Sequence, residues 1–201
     1  MIVCAVRDAT LSYFIEHIKP SLKKVDLVLF SFKTIKKIDY ESEVLNDTQF
    51  IKTFLQLSKQ LNCVVLVGSY FELLGETLAS ILVCERGELL GITDSLSSSK
   101  KDKIKEIKLF VTKLGSIGVL VNEDLLSEKL RSLMHKFEPR LIINIASEID
   151  MKTWNETLQK QNAIFNDNLI SLTNTALFYK EQESNEIKLN FCEFFTKEFK
   201  M

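Results

Sequence analysis

Short, nearly unbroken apolar runs alternate along this chain with stretches whose apolar residues recur every three or four positions. Few architectures accommodate both. Residues 2 to 7 (Ile-Val-Cys-Ala-Val-Arg) read as a buried strand, and residues 11 to 24 place Leu11, Phe14, Ile15, Ile18 and Leu22 at helical spacing. Asp26 to Phe32 is a second apolar run, followed over 47 to 61 by a helical stripe of Phe50, Ile51, Phe54, Leu55 and Leu57 behind Asp47 as its cap. Cys63 to Val67 and Leu78 to Cys84 read as strands. The Arg86-Gly87 pair turns the latter into Glu88 to Ile92, a hairpin. Ile107 to Val111 and Ile117 to Val121 follow as strands. Asp124 to Phe137 reads as a helix closed by Pro139, and Arg140 to Ala146 as a strand. Thr153 to Asp167 is a helix, Leu169 to Thr173 a strand, and Glu186 to Phe191 the last strand. Runs apolar on both faces require cover on both faces, while the hairpin argues against a purely parallel sheet. The expected class is α/β, a sandwich of mixed sheets covered by helices.

Composition agrees with a packed core and narrows the partners. Hydrophobic residues make up 46% of the 201 positions, with only 6 Gly and 2 Pro. Lys plus Arg (26) nearly cancels Asp plus Glu (27), so no overall field draws the chain to nucleic acid or to an anionic membrane. No apolar run approaches the roughly 18 residues of a membrane span, and the start lacks a basic leader, which points to a cytoplasmic protein. No composition change marks an internal boundary, so residues 1–201 are expected to form a single domain. Cys4, Cys63, Cys84 and Cys192 form no C-x-x-C pair, and the first three sit in apolar runs as reduced core thiols. With His17 and His135 the only histidines, neither a metal site nor any other cofactor is expected. Ser95 to Lys108 is a polar stretch, read as a mobile loop. It lacks the glycines of a phosphate loop.

Several words occur in a familiar order: Asp-Leu-Val-Leu-Phe at 26 to 30, Val-Val-Leu-Val-Gly-Ser at 64 to 69, Gly-Glu-Leu-Leu-Gly at 87 to 91, and Ile-Gly-Val-Leu-Val-Asn-Glu-Asp at 117 to 124 with Glu128 and Arg131 after it. Trp154, Ala163-Ile164-Phe165-Asn166 and Asn174 follow downstream. Over residues 1 to 178 the chain resembles the nitrilase, or carbon-nitrogen hydrolase, superfamily. The resemblance implies an αββα sandwich, here shortened at its C-terminal end. It also implies a site at neighbouring strand ends where a Glu base, a Lys and a Cys nucleophile cleave non-peptide C-N bonds.

Matching those positions onto this chain places Phe32 where the glutamate belongs, Ser95 where the lysine belongs and Asn122 where the cysteine belongs. A phenyl ring accepts no proton, a serine carries no positive charge, and a carboxamide supplies no thiolate. The expectation is an inactive relative serving as a binding, regulatory or structural module, with Asn122, Glu123, Asp124, Phe32, Ser95 and Phe165 lining the remnant pocket for a small-molecule ligand or facing a protein partner. Phe165 also stands where the family has a glutamate. The alternative is an amidase-like hydrolase with relocated groups, drawn from Cys63, Cys84, Lys100, Lys101, Glu123, Glu41 and Glu43. The simpler reading puts Glu41 and Glu43 in water. Asn122, at a strand-to-helix elbow, is expected at positive φ, which Asn tolerates. The resemblance further implies a homodimer through helices beside the elbow. Phe194, Phe195 and Phe199 are expected to pack the tail on the core or on a second subunit.

Overall fold

A computed structural model describes residues 1–35, 37–45, 49–96, 107–147, 168–175, 177–180, 188–190 and 194–199. The apolar run at the N-terminus forms β1 (Ile2–Val6), followed by one helical stretch. That stretch comprises α1 (Leu11–Tyr13), a π-helical turn Phe14–Ile18 and a 3-10 turn Lys19–Ser21. It ends before the expected residue 24 because Pro20 sits in the last turn and Leu22 is already extended. Then come β2 (Leu27–Phe30), β3 (Lys37–Asp39), α2 (Tyr40–Val44), α3 (Phe50–Leu61), β4 (Val64–Leu73), β5 (Glu76–Glu85) and β6 (Glu88–Asp94). The strands form one seven-stranded sheet together with a segment from the far end of the chain, β13 (Phe194–Glu198), in the order β13-β1-β2-β4-β5-β6 with β3 beside the far part of β4.

The second sheet is built from β7 (Leu109–Thr112), β8 (Gly115–Val121), β9 (Leu141–Ala146), β10 (Asn168–Thr173), β11 (Leu177–Lys180) and β12 (Lys188–Asn190), in the order β12-β11-β10-β9-β8-β7. β8, β9 and β10 are parallel, as are β1, β2 and β4 in the first sheet, where β3 also runs parallel to β4; the other pairings are antiparallel. A 3-10 turn (Asn122–Leu126) and α4 (Glu128–Lys136) follow β8.

Alternation along the strands sorts the side chains into three layers of core. In the first sheet Val3, Ala5, Leu27, Leu29, Val64, Leu66, Ile81 and Val83 face the second sheet, where Ile117, Val119, Val121, Leu141, Ile143, Ile145, Ile170 and Leu172 meet them. The alternate residues Cys4, Val6, Val28, Phe30, Val65, Leu82 and Cys84 pack under the helices with Phe14, Phe54 and Leu57. On the far side of the second sheet Leu120, Ile142 and Leu169 pack with Leu125 and Met134. Strands with both faces buried read as continuous apolar runs. The order is helix, sheet, sheet, helix: an αββα sandwich of mixed sheets.

Several sequence expectations need correction. The expected strand over 26 to 32 stops at Phe30 because Ser31 turns the chain. Its amide donates to Val6 O at 3.0 Å and its Oγ accepts from Lys33 N at 3.1 Å. Asp47, the expected cap of α3, lies outside the described residues. The first amides of that helix, Phe50 N and Ile51 N, donate instead to the Glu43 carboxylate at 2.8 and 3.2 Å, so Glu43 does not simply face water. The helix expected over 124 to 137 is broken at Ser127, whose backbone is extended and whose Oγ caps α4 by accepting from Leu130 N at 3.4 Å. The strand expected at 186 to 191 is not the last. β13 pairs antiparallel with β1, from Ile2 opposite Glu198 to Val6 opposite Phe194, and Phe199 is buried between the sheets. The tail therefore completes the first sheet. The helix expected at 153 to 167 lies outside the described residues.

Candidate functional site

The parallel strands of both sheets end on the same side of the sandwich, and the loops that leave them meet there. This is the edge at which open α/β sheets hold their ligands. β8 leaves the second sheet at Val121, and the next residue, Asn122, has φ +50 and is 8% exposed. A side chain with a short polar arm tolerates that left-handed backbone better than a branched one. The expectation for Asn122 at the elbow is met.

The Asn122 amide is engaged in structure. Its Oδ1 accepts from Ser147 N at 2.9 Å and lies 3.4 Å from Ser147 Oγ, just beyond the end of β9. Its backbone carbonyl accepts from Asn144 Nδ2 at 3.1 Å, which also donates to Leu120 O at 3.1 Å. Asn144 Oδ1 in turn accepts from Ser171 Oγ at 2.7 Å, so a buried polar chain runs from β10 through β9 to the elbow. Sequence reasoning missed Asn144 and Ser171. The signal was present, since Asn144 is the single polar residue of Leu141–Ala146 and Ser171 stands between Ile170 and Leu172 in an apolar run.

Two residues on, Asp124 is 1% exposed and binds both sheets. Its carboxylate accepts from Leu96 N at 3.0 Å on Oδ1 and 2.9 Å on Oδ2, from Val121 N at 3.3 Å, and from Ser95 Oγ at 3.4 Å. Ser95 and Leu96 directly follow β6 of the first sheet, and Ser95 N donates to Ala79 O at 2.9 Å. Ser95, Asp124 and Asn122 are thus brought together. Glu123 between them is exposed.

Phe32 lies between the sheets. An added methyl at Gly68 would stand 2.8 Å from the Phe32 ring and 2.8 Å from Ile145 Cγ2, and the ring is 5.0 Å from that of Tyr70. Ile145 on β9 is the register partner of Val121, so the phenyl group abuts the strand beside the one that carries the elbow. Asn174 adjoins the same edge: its amide donates to Ser147 O at 3.3 Å, and Arg7 Nη1 donates to its carbonyl at 3.3 Å. Arg131, buried on α4, donates from Nη1 to Leu125 O and so holds the 3-10 turn; burial lowers its pKa, partly offset by Glu128. Phe165, Lys100 and Lys101 lie outside the described residues.

The thiols considered for a relocated nucleophile are elsewhere. Cys4, Cys63 and Cys84 are buried, free, and packed in the layer between the first sheet and the helices. Cys63 precedes β4 and Cys84 pairs with Val65 near its start, three register positions before Gly68. Burial pushes the Cys63 and Cys84 thiols up to about 12, and raises that of Cys4 as well, so they stay protonated at neutral pH. Among the described residues no three His, Cys, Asp or Glu side chains are grouped to hold a metal ion, and no helix is long and apolar enough to cross a membrane.

No protein-family model matches the chain, and no curated protein matches it in sequence. Solved structures do match in shape. A CN-hydrolase superfamily protein from Xanthomonas campestris, with an arsenic adduct in its active site, superposes with a TM-score of 0.74 at 11% identity, over 100% of this chain and 90% of its own. An amidase of the nitrilase superfamily from Nesterenkonia gives 0.73 at 8% identity, over 98% and 88%. The glutamine-dependent NAD+ synthetase of Acinetobacter baumannii, bound to ADP, gives 0.73 at 16% identity. This chain is covered over 97% but spans only 44% of that protein.

Proposed function

We propose that this chain, which has the nitrilase-superfamily fold, is a catalytically inactive carbon-nitrogen hydrolase-like protein that acts as a binding, regulatory or structural module. The observation that carries the reading is the elbow. The residue that would be the nucleophile is an amide whose oxygen and backbone carbonyl both serve to hold β8 and β9 together. Phe32, at the position of the base, is wedged against Ile145 and Gly68. Ser95, at the position of the cation, leans on the Asp124 clamp. Where such groups act as a unit, loss of the nucleophile alone removes nearly all of the chemical rate.

The same reading takes residues 1–201 as a single domain in a reducing, cytoplasmic setting, where free thiols persist. It also takes the chain as a homodimer. Leu133 on α4 and Phe137, the residue that caps its C-terminal end, are exposed four positions apart, an apolar pair suited to contact with a second subunit.

Purified protein is expected to release no ammonia from a panel of aliphatic and aromatic carboxamides and nitriles. The Asn122→Cys variant is expected to gain none either, since it lacks an adjacent base and cation. Ammonia release by the native protein that disappears on thiol alkylation would overturn the proposal and establish an amidase-like hydrolase with relocated groups.

A further inference from the structure

β4 and β5, ten residues each, form a hairpin whose far end lies well beyond the parallel register that β4 shares with β2, which closes at Phe30 opposite Val67. Leu73 pairs with Glu76, which leaves Leu74 and Gly75 as a two-residue loop with φ +51 and +76. Both central residues of such a primed turn need positive φ, which is why Asn, Asp or Gly ordinarily fills the first position. Here it is a leucine. Leu74 is 84% exposed, and nothing lies within 4 Å of where a side chain at Gly75 would begin. The tip therefore carries a branched hydrocarbon in a backbone conformation that penalises it and in an environment that does not bury it. Neither contributes to folding.

The surroundings supply the rest. β3 runs parallel to the outer part of β4, from Lys37 opposite Tyr70 to Asp39 opposite Glu72, and α2 starts at the next residue. Tyr40 and Leu45 at the two ends of α2 are exposed, as is Leu73. Within 37–45 and 70–77 these apolar groups stand among five carboxylates: Asp39 and Glu43 cap the starts of α2 and α3, Glu72 pairs with Lys37, the one ammonium of these stretches, and Glu41 and Glu76 are exposed. An apolar patch with an acidic rim selects its occupant by charge. A second copy of the same tip is repelled, and so is an anionic membrane.

We propose that the β4–β5 tip and α2 form a docking surface for a segment of a partner protein that presents an apolar anchor flanked by lysines or arginines. Leu74 and Leu73 meet the anchor, and the carboxylates of Glu41 on α2 and Glu76 on the hairpin meet the flanking cations. This surface involves no residue of the elbow, so it stands or falls separately from the loss of catalysis.

The test is selection from a displayed library of random 16-residue peptides on the full-length protein, counter-selected on its Leu74→Asn variant. Asn suits the left-handed turn position, so this variant is expected to melt no lower than the native protein. Selected peptides are expected to share an apolar residue between Lys or Arg. They should bind at least tenfold more weakly to L74N and to the E41K/E76K double variant, and weaken as salt is raised. Overturning results are no enrichment over L74N, a consensus without basic residues, undiminished binding to the charge-reversed variant, or self-association of the native protein that L74N abolishes.

Discussion

At Gly68 the missing side chain is what makes room for Phe32 between the sheets. An alanine there would place its methyl 2.8 Å from both Phe32 and Ile145, closer than packed carbons come, and is expected to cost about 1–3 kcal/mol. Phe32→Ala removes the ring and is expected to cost about 3–5 kcal/mol by itself. The double variant should lose less than the sum, because the second change opens the space that the first one needs. Urea unfolding of the four proteins checks this; strict additivity would show that the ring is not what confines Gly68. Asn122 answers to a different constraint. Asn122→Gly keeps the backbone and strands the Ser147 amide, an expected loss of about 1–3 kcal/mol, while Asn122→Ala adds the left-handed penalty of about 1–2 kcal/mol. A ranking with the alanine variant more stable than the glycine variant would contradict the role assigned to its φ. The amide's fitness for the turn was legible from residue type and position. Its partners were not, because Asn144 and Ser171 are 22 and 49 positions further on and only the parallel β8–β9–β10 register brings them near.

Between elements, the Asp124 carboxylate is the tie. It joins the residues after β6 to the end of β8, so the two sheets are fastened at the edge where their loops meet. Asp124→Asn keeps one acceptor oxygen but turns an NH2 group towards backbone amide donors, and a loss of about 1–3 kcal/mol is expected. Hydrogen exchange should show the Leu96 and Val121 amides losing protection before those of the central strands; unchanged protection at both would remove the tie. Elements with two buried faces, such as β2, β4 and β9, were readable as apolar runs. β3 and β13 were not: Lys-Ile-Asp and Phe-Phe-Thr-Lys-Glu have no sequence pattern that separates an edge strand from a loop, and each is a strand because β4 or β1 offers it an unpaired edge.

On the scale of the whole molecule, the thiols link stability to pH. Cys63 and Cys84 titrate at about 12 in the fold against 9.0 for an ordinary thiol, because burial disfavours the thiolate. The folded state therefore keeps its protons where the unfolded chain loses them. This contribution is complete below pH 9 and falls away as pH rises from 9 towards 12, at up to about 1.4 kcal/mol per pH unit for each thiol. Unfolding midpoints measured across pH 8 to 11 should decline more steeply for the native protein than for the Cys63→Ala/Cys84→Ala variant. Parallel profiles would show that the thiols are not responsible. In the same native state Cys4, Cys63 and Cys84 are expected to resist a thiol reagent at pH 8 until denaturant is added. Assembly is tested by sedimentation. The native chain is expected as a dimer and Leu133→Glu/Phe137→Glu as a monomer, whereas a monomeric native chain would dismiss the α4 contact.

What the amino-acid order determined unaided was the alternation of buried strands and amphipathic helices and the order of the landmarks along the chain; that Phe32, Ser95 and Asn122 stand where reactive side chains belong is part of the proposal. Period and residue type are local quantities, and a few adjacent positions suffice to express them. Only the tertiary structure decided which sheet each strand joined, that the three described thiols face the helices rather than the elbow, that Asp124 spans two sheets, and that the tail returns to β1. These depend on register between segments far apart in the chain, where a shift of one residue exchanges the two faces of a strand. Competition for burial over the whole core selects among the registers that the local pattern leaves equal.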